Sequence, residues 1–136
     1  MQTFTIYPKD GGETFTAQFH KFELNESGDG FILYDDAHKP SKEGHLSFKE
    51  TAAIIPNNLK EREDEIRFLV YLKNRSEPLT IYAHAFEQSE PSLIFKRQLK
   101  DIRHNPYQEW KLDAIYIALS EVIAVLPADG LISYRP

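Results

Sequence analysis

The sequence predicts a mostly β protein, an antiparallel barrel or sandwich, and three observations support this fold class. Apolar and polar residues alternate with a period of two over most of the chain, in segments rich in Ile, Val, Thr, Phe and Tyr, which are typical of strands. Clusters of Gly, Pro, Asn, Asp and Ser separate these segments at short intervals. Helical patterns are confined to two short windows, 58–64 and 92–103.

The first half of the chain, 1–57, has the pattern of strands joined by tight turns. A slip in the facing of the apolar residues predicts a β-bulge near His20 or Lys21. Two glycines in the loop at 25–30 supply the positive φ angles of a hairpin. The predicted strands are 3–7, 13–24, 31–34 and 45–55.

The second half begins after a charged connector, 58–65, which is either a short helix over 58–64 or a solvated linker. The window 92–103 is ambiguous. Leu93, Phe95 and Leu99 alternate as in a strand, whereas Phe95, Leu99 and Ile102 have helical spacing, and the strand is slightly favoured. The predicted strands are 66–73, 79–86, 93–99, 116–127 and 131–134.

The longest apolar segment, 116–127, has a counterpart in 48–56. In both, a Glu is followed after two residues by Ala, two aliphatic residues and Pro, and the two prolines are 127 − 56 = 71 residues apart. The pattern indicates an internal repeat of 1–57 and 66–130. Two such endings also arise without duplication, because buried strands favour Ile, Val and Ala.

With or without a repeat, the apolar segment at 116–127 predicts a core strand, in which we expect four aliphatic side chains to be buried. These are Val122, Ile123, Val125 and Leu126. At 136 residues, with 41% hydrophobic residues, the chain fits a single compact domain, 1–136.

The second half resembles the small SH3-like and Sm-like barrels, because its meander of strands ends in a bent strand followed by a tight turn at Asp129-Gly130. The resemblance covers little more than 66–130 and implies two similar SH3-like or Sm-like β units if the halves are a repeat. The glycine that bends the second strand of Sm proteins is absent, as is the Arg-Gly pair of their RNA-binding turn. RNA binding is therefore not implied.

Composition excludes several classes of function. The chain has no cysteine, so it has no disulfides, thiolate nucleophiles or cysteine metal sites. Its net charge of −5 disfavours extended contacts with a phosphate backbone. No apolar run reaches the length of a membrane span, and no signal peptide is visible at the start. We therefore expect a cytoplasmic protein that does not associate with membranes.

One basic cluster, followed by aromatic residues, is the candidate binding segment. If 92–103 is a helix, Lys96, Lys100 and Arg103 share one face, which suits recognition of a phosphate backbone or an acidic protein. The alternative is a solvated segment whose charge balances the acidic remainder. The candidate residues are Lys96, Arg97, Lys100, Arg103, His104, Tyr107 and Trp110.

Metal-ligating residue types occur together only around the loop 35–45, and their spacing fits no standard metal template. These weak metal candidates are Asp35, Asp36, His38 and His45. Solvated turn residues are the favoured interpretation, and no metal or cofactor is predicted. His20 and His84 lie within predicted strands, where we expect cross-strand or partly buried histidines.

No nucleophile elbow, Walker loop, dinucleotide fingerprint or zinc-protease motif is present. The sequence therefore favours a small non-enzymatic binding or regulatory module that acts through protein–protein interaction. Its partner is another protein or a second copy, with the last strand and Tyr134-Arg135 offering a sheet edge for a homodimer. The alternative is nucleic-acid binding through 96–104, and the third hypothesis is a small enzyme with a pocket in the mouth of a β-barrel.

Overall fold

A computed structural model describes residues 1–35, 39–59, 61, 65–99, 108–111 and 114–130. Within these residues the regular structure consists of strands and a single 3₁₀ turn, Leu119–Glu121. The strands are β1 (Gln2–Pro8), β2 (Phe15–Phe19), β3 (Lys21–Leu24), β4 (Gly30–Tyr34), β5 (Leu46–Ser47), β6 (Thr51–Pro56), β7 (Ile66–Leu72), β8 (Leu79–Ala83), β9 (Ala85–Ser89), β10 (Ser92–Leu99), β11 (Gln108–Lys111), β12 (Tyr116–Ile117) and β13 (Val122–Pro127).

The prediction of a mostly β, antiparallel fold is confirmed. The described strands form four antiparallel sheets, in the orders β12-β6-β1-β2, β3-β4-β5, β13-β7-β8 and β11-β10-β9. These sheets do not close into one barrel, and their arrangement is compatible with a sandwich-like fold. In the described part of the chain, no helix has the length and apolar character needed to cross a membrane.

The ambiguous window 92–103 is a strand over 92–99, so the helix considered there is wrong for those residues. The segment forms a strand because Leu93 and Phe95 are then both buried in the core from one face of β10. Residues 100–103 lie outside the described part. In the charged connector, Asn58, Leu59 and Glu61 are not helical, and the remainder of 58–64 lies outside the described residues, as does the predicted strand 131–134.

Each half of the chain has its own core, and each core is completed by the other half. The core of the first half contains Phe4 stacked on Phe19, with ring centroids 4.2 Å apart, and it also receives Tyr116 and Ala118 from the second half. The core of the second half is built on Val70 and its neighbours, and it receives Ala52 and Ala53 from β6. The two halves therefore share their interiors along the line where β6 meets β12.

The backbone pairing of 1–57 recurs in 66–128 at constant offsets. Phe4 faces Pro56 in the pair β1–β6, and Phe68 faces Pro127 in the pair β7–β13, so the offsets are 68 − 4 = 64 and 127 − 56 = 71. The hairpin β1–β2 corresponds to β7–β8 at the offset of 64, and β3–β4 corresponds to β9–β10, with an offset of 62 for β4, since Leu33 corresponds to Phe95. The offset of 71 is the one already visible between the two prolines. Duplication as the origin of this correspondence stays a prediction.

Both halves bend at a histidine. His20 separates β2 from β3, and His84 separates β8 from β9. The N–H of His20 donates to the carbonyl of Tyr34 at 2.7 Å, and that of His84 donates to the carbonyl of Lys96 at 2.8 Å. The break predicted near His20 is confirmed in position, whereas the one at His84 was not predicted. Both histidines are exposed and not partly buried.

The segment 116–127 is not one core strand. It consists of β12, the 3₁₀ turn and β13, and among the described residues β13 pairs only with β7, at the edge of its sheet. The register shifts between Val122 and Ala124, so Ile123 is a bulge residue, and it is 66% exposed. Leu126 is 41% exposed, while Val122 and Val125 are half-buried. The prediction that these four side chains are buried is therefore wrong for Ile123 and Leu126.

This placement leads to a prediction about stability. Ile123→Asp should remain folded and change the free energy of unfolding by no more than about 1 kcal/mol, because its side chain already faces water. Ile54→Asp is the matched variant in β6, where Ile54 is fully buried in the core of the first half. An unpaired carboxylate there should cost on the order of 3–5 kcal/mol. Urea unfolding followed by circular dichroism measures both, and unfolding of Ile123→Asp would contradict the edge placement of β13.

Candidate functional site

The structure describes only part of the predicted basic segment. Lys96 and Arg97 are adjacent in β10, and strand geometry points their side chains to opposite faces of the sheet. Trp110 is opposite Arg97 in the pair β10–β11. The common basic face expected of a helix is therefore not formed by the described residues. Lys100, Arg103, His104 and Tyr107 lie outside the described part.

Both described cations of this segment are engaged by carboxylates. The Nζ atom of Lys96 lies 3.0 Å from Oε2 of Glu87 on the neighbouring strand β9. The Nε atom of Arg97 lies 3.1 Å from Oε2 of Glu65, whose side chain is almost fully buried. Arg97 thereby neutralises a buried acid immediately before β7. The contacts give Arg97 a structural role and reduce the positive charge that the segment presents.

The weak metal candidates are only half described. Asp35 donates its backbone N–H to the carbonyl of Lys39 at 3.0 Å, as a loop residue does, and His45 lies exposed beside Gly30. Asp36 and His38 lie outside the described residues. Among the residues that the structure describes, no group of three His, Asp or Glu side chains is placed to hold a metal ion.

The junction between the two halves is the best-defined polar and aromatic arrangement in the structure. β12 pairs with the edge of β6, with Tyr116 opposite Ile54, and the N–H of Ala118 donates to the carbonyl of Ala52 at 2.8 Å. The Tyr116 ring lies 4.8 Å from that of Phe31 in an edge-on contact. A strand of the second half thus extends a sheet of the first, and its aromatic side chain enters the first core.

A clamp centred on Arg75 also joins the two halves. Its Nη2 atom donates to the carbonyls of Pro8 and Gly12 at 2.9 and 2.8 Å, and its guanidinium lies 5.3 Å from the centre of the Tyr7 ring. Burial raises the pKa of the Tyr7 hydroxyl, and the nearby Arg75 charge opposes that rise. The amide of Asn74 also donates to the carbonyl of Lys9 at 2.8 Å. These contacts join two loops more than 60 residues apart in sequence.

Two concave sites lie along this junction. The more polar one has a volume of about 360 Å³ and includes Arg75, Ser76 and Glu77. Nη2 of Arg75 donates to two carbonyls, while its buried Nε has no hydrogen-bond partner among the described residues. The more apolar one, of about 410 Å³, is lined by Phe48, Glu90, Pro91, Tyr116, Leu119 and Ser120. Neither of these two linings contains a histidine, whereas a smaller concave site of about 120 Å³ contains His20 beside Phe22 and Ala114.

The outer edge of β13 is the strongest candidate for an interaction surface. Two large apolar side chains, Ile123 and Leu126, are exposed on one strand whose second edge is unpaired by any described residue. We call this surface the β13 edge, defined as residues 122–127. Sequence analysis missed it because an apolar run at an edge has the same composition as one in a core. The bulge at Ile123 does not distinguish the two cases, because β6 has the same register shift at Ala52, and a single sequence does not reveal which of the two edges is covered.

The junction leads to a prediction about pH. Tyr116 is buried, its hydroxyl has no described hydrogen-bond partner, and burial together with the Glu121 carboxylate raises its pKa to about 12. The unfolded pKa is about 10, so stability from neutral Tyr116 is complete below about pH 10 and is lost as the pH rises toward about 12.

The test is the urea midpoint as a function of alkaline pH. We expect Tyr116→Phe to be at least as stable as the wild type near neutrality, because it removes an unpaired buried hydroxyl. Its midpoint should also fall less between about pH 10 and about pH 12. Tyr82→Phe, a half-buried tyrosine in β8, is the control and should behave as the wild type does. Equal alkaline losses in all three proteins would contradict the assignment.

Comparison with known proteins adds no external guide to these surfaces. The geometry of the junction and of the β13 edge is thus the basis for any proposal about function. No protein-family model, no characterised protein and no solved structure matches the chain.

Proposed function

We propose that this chain is a non-enzymatic protein-binding module that engages its partner through the β13 edge. The observation that carries the proposal is the exposure of Ile123 and Leu126 on a strand with an unpaired outer edge among the described residues. We also propose a regulatory role, in which binding of the partner to this surface is itself the activity.

Such an edge can bind another protein because it presents backbone hydrogen-bonding groups that are not paired within the sheet. Every second residue of an edge strand points its backbone N–H and C=O away from the sheet, and an extended segment of another protein can pair with them. Backbone pairing supplies affinity, and side chains such as Ile123 and Leu126 supply specificity. Soluble proteins protect edges with charges, prolines, bulges or covering elements. β13 has a bulge at Ile123 and ends at Pro127, but it carries no charged residue.

The alternative of nucleic-acid binding through 96–104 receives less support. Its two described cations are engaged by Glu87 and Glu65, and the chain has a net charge of −5. Counterion release from phosphates needs several uncompensated cations. The third hypothesis, an enzyme with a pocket in a barrel mouth, lacks the closed barrel. A cytoplasmic location is part of our proposal, and the absence of cysteine favours it.

The proposal predicts that one apolar substitution on the β13 edge removes partner binding. Leu126→Asp places a charge on the edge, whereas Leu24→Asp places the same charge at the end of β3. Leu126 and Leu24 are each 41% exposed, so the two variants are matched in residue type and exposure. We expect Leu126→Asp to weaken binding at least tenfold, which is about 1.4 kcal/mol, and Leu24→Asp to leave it unchanged.

The measurement is quantitative affinity capture from an extract of the natural host with immobilised wild type and both variants, followed by titration of the captured protein. Circular dichroism verifies that each variant is folded. Equal capture by all three proteins would place binding elsewhere on the molecule and would contradict a role for the β13 edge.

A further inference from the structure

We propose that the β13 edge binds a second copy of this chain, head to tail, and that the docking element is the first half of that copy. The proposal rests on the proposed function of the β13 edge and specifies its partner. Its basis is the junction inside one molecule, where β12 of the second half pairs with the edge of β6 in the first half. The two surfaces that meet there have counterparts on β13 and in the first half that no described strand covers.

The internal contact has a receiving side and a docking side. On the receiving side, the edge of β6 accepts β12, and Ala52 is covered until it is only 1% exposed. Tyr7 and Ile55 pack against the core of the second half from the same side. On the docking side, Tyr116 and Ile117 of β12 lie along β6.

The receiving side has a counterpart in β13, because β13 pairs with β7 as β6 pairs with β1. With the offsets of 64 and 71, Tyr7 corresponds to Tyr71, Ala52 to Ile123, and Ile55 to Leu126. The register shift occurs at the same place in both pairs, at Ala52 and at Ile123. Ala52 and Ile55, which are buried and half-buried in β6, thus have exposed counterparts in β13, whereas Tyr7 and Tyr71 are both half-buried.

Ile123 shows the difference most clearly. It is 66% exposed, although its counterpart Ala52 is among the most buried residues of the molecule. An isolated edge strand gains nothing from a larger apolar side chain in water, whereas a strand that receives a partner gains apolar contact. The residue type at 123 thus fits a surface that is covered in an assembly.

The docking side has a counterpart in the first half. Leu79 corresponds to Phe15, since 79 − 64 = 15, and Ile117 corresponds to Leu46, since 117 − 71 = 46. Leu79 is 6% exposed and lines the same cavity as Tyr7 of the other half. Phe15 is 48% exposed. A second copy that repeats the internal contact would place its Phe15 against Tyr71 and its β5 along β13.

β5 is available for this pairing. It pairs with β4 on one side and has no described partner on the other, just as β12 would have none without β6. The counterpart of Tyr116 in the docking segment is the exposed His45, and that of Ile115 is Gly44. The external contact therefore buries less apolar surface than the internal one, and we expect reversible association that depends on concentration.

The geometry distinguishes this assembly from a symmetric homodimer. The receiving surface (Tyr71, Ile123 and Leu126) and the docking surface (Phe15 and 45–47) are different patches on the same chain. A contact between different patches leaves one of each free in every dimer, so copies continue to add until a ring closes or a filament grows. A symmetric dimer, in which two β13 edges pair with each other, would stop at two copies.

The test uses full-length chains with one blocked surface each. Phe15→Asp blocks the docking surface, Ile123→Asp blocks the receiving surface, and Leu24→Asp is the control with a charge at neither surface. Sedimentation velocity over a concentration series gives the mass of each species, and circular dichroism verifies folding. If Phe15→Asp does not fold, Phe15→Thr blocks the same surface with a residue suited to strands.

We expect the wild type and Leu24→Asp to increase in mass with concentration beyond a dimer. Phe15→Asp and Ile123→Asp should each sediment as monomers of 15.8 kDa. An equimolar mixture of these two variants should form a dimer that does not grow further, with a mass of 2 × 15.8 = 31.6 kDa, because each contributes the one surface that the other lacks.

Two results would overturn the proposal, and both are separable from failure of the proposed function. If Phe15→Asp dimerises and the mixture gives no new species, β13 pairs symmetrically with itself. If the wild type stays monomeric across the series, a second copy is not the partner. The proposed function then stands where Leu126→Asp still loses a captured host protein, and falls where capture is unchanged.

Discussion

The structure depends on one piece of backbone pairing, the addition of β12 to the edge of β6. Each half would otherwise end in an open sheet edge, and its core would be open on one side. Pairing satisfies the backbone groups of β6, and it also carries Tyr116 into the first core while Ala52 and Ala53 enter the second. A strand that joins two sheets in this way makes the stability of each half dependent on the other.

The Arg75 clamp fixes the angle at which the halves meet. A guanidinium that donates to two carbonyls, Pro8 and Gly12, tolerates little rotation. The same loop approaches Gly11, which has φ +80°, so closely that a Cβ atom there would collide with the backbone of Asn74. These contacts act with the β6–β12 pairing as a second attachment between the halves.

The sequence was informative where a local pattern had a single structural solution. Alternation predicted most of the strands, and the two prolines predicted corresponding closing strands. The loop at 25–30 predicted the hairpin, although of its two glycines only Gly28 has a positive φ, of 76°. It was uninformative where the outcome depends on a distant partner. Ala52 and Ile123 occupy corresponding positions, and nothing local indicates that one is covered by β12 while the other faces water. The pairing of Arg97 with Glu65 was likewise not visible in the sequence, because it joins residues 32 positions apart (97 − 65).

The error at Ile123 has a physical meaning beyond a missed boundary. A strand rich in Ile, Val, Ala and Leu was assigned to a core because burial is what stabilises such a composition. Inferring burial from an apolar composition is correct for β6, because the other half of the chain covers the same pattern there. In β13 the pattern persists although the single chain provides no described cover. Corresponding positions are thus covered in β6 and left without a described cover in β13, and this difference is what supports our proposal that β13 is covered from outside the molecule. The apolar composition of β13 fits the proposed interface, and the pairing of β12 with β6 inside the chain is the contact on which that proposal is patterned.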